Sequence, residues 1–119
     1  MAASAEFLTF LQDQFERFGP IANRRMFGGT GMFRDGVMFG IVVRDTLYLK
    51  TDEHSQADFE AAGMGPFRYD RRGGTVSLGY HEVPADVLED ADTLAEWAAT
   101  AVRIAMASKK KAARRKSAP

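Results

Sequence analysis

Seven consecutive residues without a polar side chain, Val37 to Val43 (VMFGIVV), constrain this chain more than any other stretch. The run is far short of the ~20 residues a membrane span needs. It is bracketed by Asp35-Gly36 and Arg44-Asp45. Asp-Gly between two apolar runs is a strong hairpin signal, because both residues tolerate positive φ. The run therefore reads as a strand that is apolar on both faces. Such a strand is central in its sheet, or one of its faces meets a partner. Simple alternation puts Val37, Phe39, Ile41 and Val43 on one face and Met38, Gly40 and Val42 on the other. Gly40 marks a place where something packs close to the backbone.

The rest of the chain is read outward from that strand. Phe7, Leu8, Leu11, Phe15 and Phe18 recur at helical spacing. Ser4 can cap their helix, and Gly19-Pro20 stops it, which predicts a helix over about 4–18. Strands are expected at about 22–27, 31–34, 37–43 and 46–50. A weaker helix over 52–62 is anchored by Phe59. A second hairpin follows, with strands at 67–71 and 75–83, a turn at Gly73-Gly74, and Val76, Leu78 and Tyr80 on one face. Pro84 starts a short helical turn. Leu94, Trp97, Ala98, Ala101, Val102 and Ala105 form one helical stripe. Thr93 and Glu96 have capping-box spacing, so the last helix is expected from about 93 to at least 107. The order helix, strands, helix, strand hairpin, helix predicts an α+β fold. It is a single domain with a mainly antiparallel sheet and a long C-terminal amphipathic helix.

With 119 residues there is room for one domain. The absence of cysteine excludes disulfides, thiolate nucleophiles and zinc-thiolate sites. The opening MAASAEFLTFLQ lacks the basic start and apolar run of a secretory signal. These features predict a cytoplasmic protein with no membrane contact. The net charge of zero hides a segregation. Lys109, Lys110, Lys111, Arg114, Arg115 and Lys116 stand together in the last residues with no acid among them. Without these six, ten basic residues face sixteen acids, so the body carries about −6. The domain is accordingly bounded at 1–107, and 108–119 is expected to be a basic, disordered tail.

The Gly-Gly-Thr-Gly of MFGGTGMF follows a strand, as a phosphate-binding loop would. It precedes another strand rather than a helix, and it lacks a Walker lysine and hydroxyl. It reads as a bulged turn within a meander. Arg24 and Arg25 alternate across their strand, so one exposed arginine beside the turn remains an anion-binding candidate. Met26, Met32, Met38 and Phe33 read as core. His54 and His81 have no metal-ligand spacing, and no serine sits in a nucleophile elbow. No catalytic residue, metal site or cofactor is predicted. The basic tail has the electrostatic footprint of a nucleic-acid contact. It offers no aromatic residue for stacking, so it would bind phosphates without reading sequence. Neutralising ~6 phosphates gives a log–log salt slope near −5.

Taken in order, RRMFGGTGMFRDGVMFGIVVRDTLYLK, GMGPFRY, VSLGYHEVP and LAEWAATAVRIA resemble the N-terminal domain of TfoX/Sxy-type competence regulators. The resemblance runs from about Phe7 to Ala107. It rests on Arg25, Met26, Phe27, Gly28, Gly29, Gly31, Tyr48, Lys50, Tyr80, Pro84 and Trp97. It implies an α+β fold and a regulatory, non-enzymatic role. Longer members are positive regulators of natural competence, promoting transcription of DNA-uptake genes with a cyclic-AMP-responsive activator. They carry a second helical domain where this chain has its basic run. The expected function is a regulatory module acting through protein–protein contacts, with transcription machinery as the partner class and homodimerisation through the sheet a further expectation. The alternatives are a nucleic-acid accessory protein using the tail, or an anion binder at the glycine turn. Candidate binding residues are Arg24, Arg25, Gly28, Gly29, Thr30 and Lys50.

Overall fold

A computed structural model of the chain describes the backbone of residues 4–26, 28–71 and 74–117, and the side chains of these outside 69–71, 74–78 and 114–117. Asp35 and Gly36 turn with φ of 53° and 81°, and Arg44 and Asp45 with 52° and 57°. Two successive left-handed residues make the hairpin turn whose twist matches the strands it joins. Around these turns run β1 (Ala22–Met26), β2 (Gly29–Arg34), β3 (Val37–Val43) and β4 (Thr46–Lys50). After α2 (Glu53–Ala61), β5 (Pro66–Arg71) and β6 (Gly74–Glu82) complete a six-stranded sheet in the order β1-β2-β3-β4-β6-β5. Every pairing is antiparallel. The predicted turn residue Gly73 and the side chains of Val76 and Leu78 lie outside the described residues.

The sheet has helices on one face. α1 (Ala5–Gln14), α3 (Ala85–Glu89) and α4 (Ala91–Ser117) join α2 there. The core between the layers holds Leu11 and Phe15, Phe39, Val42, Leu47 and Leu49 of the sheet, Phe59, Val87, and Leu94, Ala98 and Ala101. Phe39 sits under the first helical segment, edge-on to Phe15 at 5.9 Å and beside Phe18 at 5.4 Å.

β3 is central, as its doubly apolar sequence requires, but its alternation is broken. Met32 pairs with Gly40 and Phe33 with Met38, so Phe39 is an extra residue, a β-bulge. The bulge shifts the facing by one position. Phe39 and Val42 both reach the helix side, while Met38, Ile41 and Val43 cluster on the other. Simple alternation had joined Phe39 with Ile41 and Val43. The close approach at Gly40 is to β4: a Cβ there would stand 3.2 Å from the Tyr48 carbonyl oxygen.

Helix boundaries follow their caps. Ser4 Oγ accepts from the Phe7 amide at 3.1 Å, as expected. α1 is shorter than 4–18 because its exit is pinned from outside. The Arg34 guanidinium donates to the carbonyls of Phe18 and Pro20 and lies 3.9 Å over the Phe18 ring. Asp52 caps α2 in a reciprocal box with Ser55. α4 starts two residues before the expected Thr93, because Asp90 is its cap: the carboxylate accepts from the amides of Asp92 and Thr93. At the other end, α4 runs to Ser117. Ala, Lys and Arg are strong helix formers, and a helix already nucleated on the sheet extends cheaply.

Candidate functional site

The glycine turn is architecture of two kinds. Gly28 has φ of 73°, a turn conformation that L side chains resist. Gly29 and Thr30 are already in β2, opposite Met26 and Arg25, and both are buried. Gly29 is needed for space: a Cβ on it would stand 2.2 Å from the Val42 carbonyl oxygen. Phe27, also part of the motif, lies outside the described residues. The amides from Gly28 to Thr30 run from a turn into a strand paired on both sides, rather than converging on a hollow.

The candidate binding residues are not brought together. Arg24 and Arg25 are exposed on the edge strand β1 and face opposite sides. The Arg24 guanidinium stands 5.6 Å from the Phe33 ring centroid. Lys50 lies two strands away from β2, paired with Tyr80 of β6. Its ammonium is 5.1 Å from the Tyr80 ring centroid, and burial holds its pKa below the usual lysine value.

What the topology does bring together is an apolar surface on the helix-free face. Gly31 is its low point: a Cβ there would meet Met26 Sδ, Met38 Sδ and the Phe33 ring. Ile41 pairs with Gly31 on one side and Tyr48 on the other, and is fully buried by its neighbours. Phe67, Tyr80, Met38, Val43 and Tyr48 complete the cluster. Tyr48 meets Phe67 edge-on at 5.0 Å. Met26, Phe33, Met38, Val43 and Tyr48 remain partly exposed. Of the methionines and phenylalanine read as core, only Met32 is in the helix-side core.

Tyr80 locks this face. Its hydroxyl crosses β4 and donates to the Met38 carbonyl beside the bulge, at 3.1 Å. Burial pushes its pKa up to about 12, so it stays a donor. Sequence reading gave Tyr80 only a strand position, because a bulge two strands away leaves no local signal. Tyr48 is also raised, by burial first and then by the Glu82 carboxylate.

On the helix side His81 is buried, with Nδ1 2.9 Å from Thr51 Oγ1. The Thr51 hydroxyl donates to the Gly79 carbonyl, so the His81 Nδ1–H is the donor of the pair. Burial lowers the His81 pKa, with the Glu60 carboxylate opposing it. His54 is exposed at the start of α2. A cleft of about 220 Å³ between α2 and α4 is lined by Lys50, Ser55, Asp58, Phe59, Glu96, Trp97 and Thr100. Its floor is the edge-on pair Phe59–Trp97, 4.7 Å apart. Among the described residues no three His, Asp or Glu side chains are grouped to hold a metal, and no helix is long and apolar enough to cross a membrane.

A helix-backed antiparallel sheet with a glycine hairpin at one edge and an apolar helix-free face defines a small α+β domain. Residues 13–105 match the TfoX N-terminal domain, and the chain belongs to that family. It is 29% identical over 80 residues to the DNA transformation protein TfoX1 of Aliivibrio fischeri. That alignment covers 64% of this chain and 38% of the relative, so the chain matches well under half the length of that protein.

Proposed function

We propose that this chain is a non-catalytic regulatory module of the DNA-transformation kind, working in the cytoplasm by contact with another protein, with transcription machinery as the partner class. The observation that carries this reading is the helix-free face. Five partly exposed apolar side chains, Met26, Phe33, Met38, Val43 and Tyr48, gather on one side of β1 to β4. Methionine and aromatic side chains adapt to a partner at low entropic cost and are enriched in interface cores. Family membership supports the regulatory role.

The test is affinity capture with the full chain and with Phe33→Glu, which puts a carboxylate on that face. Circular dichroism must show both folded. The expected result is a partner retained by the parent chain and lost by the variant. Equal retention by both, or no enriched partner across several growth conditions, would refute the reading. Sedimentation at two concentrations shows whether a second copy is what covers the face.

A further inference from the structure

Among the described residues, α4 runs on past its last buried position. Its buried positions, Leu94, Ala98, Ala101 and Ala105, end at Ala105. From Ala107 to Ala113 every residue is exposed. Residues 109–117 continue the helix for about another 13 Å. This extension holds Lys109, Lys110, Lys111, Arg114, Arg115 and Lys116, and no acid follows Glu96. Among the described side chains the single ion pair is Arg17–Asp92, so Lys109, Lys110 and Lys111 have no carboxylate partner.

We infer that this helical extension is a nucleic-acid contact that grips duplex phosphates without reading bases, with Arg24 as a second point of attachment. The inference is separate from the protein-contact reading, since its test holds only purified chain and duplex.

Three features select this ligand. The extension carries nothing apolar larger than alanine, so it lacks the anchors that protein interfaces depend on. It also lacks the Trp, Phe or Leu face by which a basic helix enters a lipid surface. What remains is a dense array of cations, which matches the repeating charge of a phosphate backbone. The body supplies the second contact. Lys109 Nζ lies 3.8 Å from where a Cβ on Gly36 would stand, beside the β2–β3 turn. Gly36 in turn lines a surface recess of about 490 Å³ with Arg24, Phe33, Arg34 and Asp35. Arg34 is engaged by two carbonyls, whereas Arg24 is exposed, with its guanidinium near the Phe33 ring.

Helical geometry changes the number of phosphates engaged. A helix spreads its basic positions around its axis, so a duplex on one side meets about half of them, together with Arg24. Four phosphates give a salt slope of about −3.6, rather than the −5 of a fully engaged flexible tail. Like charges crowded into one short stretch repel when no polyanion is bound. Binding a polyanion removes that cost, so helicity rises on binding.

Fluorescence anisotropy of a labelled mixed-sequence duplex, titrated with the full chain at 50–200 mM KCl, tests this. Expected are a slope of about −3.6, hence about a 150-fold fall in affinity across that range, equal affinity for two unrelated sequences, and increased helical circular dichroism. The full chain with Lys109, Lys110 and Lys111 each changed to Gln keeps helix propensity and binds about tenfold or more weakly. Arg24→Gln weakens binding by a smaller factor. Absence of binding at 50 mM salt, undiminished affinity of the triple variant, or stronger binding to anionic phospholipid vesicles than to the duplex would each overturn the inference. So would self-association of the chain in place of duplex binding.

Discussion

Gly29→Ala separates a glycine kept for space from a glycine kept for a ligand. The new Cβ would stand 2.2 Å from the Val42 carbonyl oxygen and 2.8 Å from Val43 Cγ2. Ordinary contact begins at about 3.4 Å, so about 1 Å of movement is required. The obstructing atom is backbone in the central strand, which cannot rotate away as a side chain would. Overpacking of a filled site costs about 1–3 kcal/mol. Displacing β2 from β3 also weakens one or two ladder hydrogen bonds, at about 1 kcal/mol each. The sum is about 2–5 kcal/mol, a large part of the ~5–15 kcal/mol that holds a domain together. At roughly 4 °C per kcal/mol for a chain of this size, Tm falls by about 8–20 °C. Gly28→Ala is the control. Its φ is 73° but no atom lies within 4 Å of the new Cβ, so it costs about 1 kcal/mol of backbone strain. Urea unfolding monitored by far-ultraviolet circular dichroism gives both values. Gly29→Ala within about 1 kcal/mol of the parent, or Gly28→Ala the more damaging of the two, would show that the close approach has been misread.

Two further outcomes follow from buried polar groups. His81 is held neutral, with its folded pKa below the ordinary value of about 6.5. The unfolded chain therefore binds the extra proton first. Stability from this group is full above that ordinary value and is lost as pH falls toward the folded pKa. Urea midpoints at pH 7.5 and 5.5 should drop more for the parent than for His81→Gln, and parallel drops would exclude the histidine as the cause. Tyr80→Phe removes the donor to the Met38 carbonyl and should cost about 1–2 kcal/mol while leaving the m-value unchanged. An unaltered urea midpoint would mean that water replaces the hydroxyl there.

Local chemistry made most of the fold legible. Asp35, Gly36 and Asp45 announce their turns because left-handed backbone favours Gly, Asn and Asp, whereas Arg44 adopts φ of 52° with no such signal of its own. Ser4 and Asp52 sit at the starts of their helices because their oxygens meet free amides. The misreadings came from partners distant in sequence. Phe39 changes face because β2 and β3 slip by one residue, and nothing in VMFGIVV marks the slip. Thr93 has the spacing of a cap, but Asp90 arrives first from the end of α3 and takes the amides.

Lys50 shows why the candidate site was harder to read than the fold. It shares a motif with Arg25 and Gly29 in sequence, yet the sheet order sets it on β4, two strand spacings from β2, where it meets Tyr80 of β6. Sequence spacing along a meander reports neighbours in the ladder; it does not report which side chains converge across a face. Convergence here depends on the pleat, and the bulge at Phe39 inverts the pleat midway along β3. The inversion sends Met38, Ile41 and Val43 away from the helices, where they join Met26 and Phe33 over Gly31. Without that extra residue, Phe39 would share the face of Ile41 and Val43, and the helix-side core would lose the ring that Phe15 and Phe18 pack against. One inserted position thus serves both layers: it fills the core beneath the helices with Phe39 and puts Met38 with Ile41 and Val43 on the opposite face.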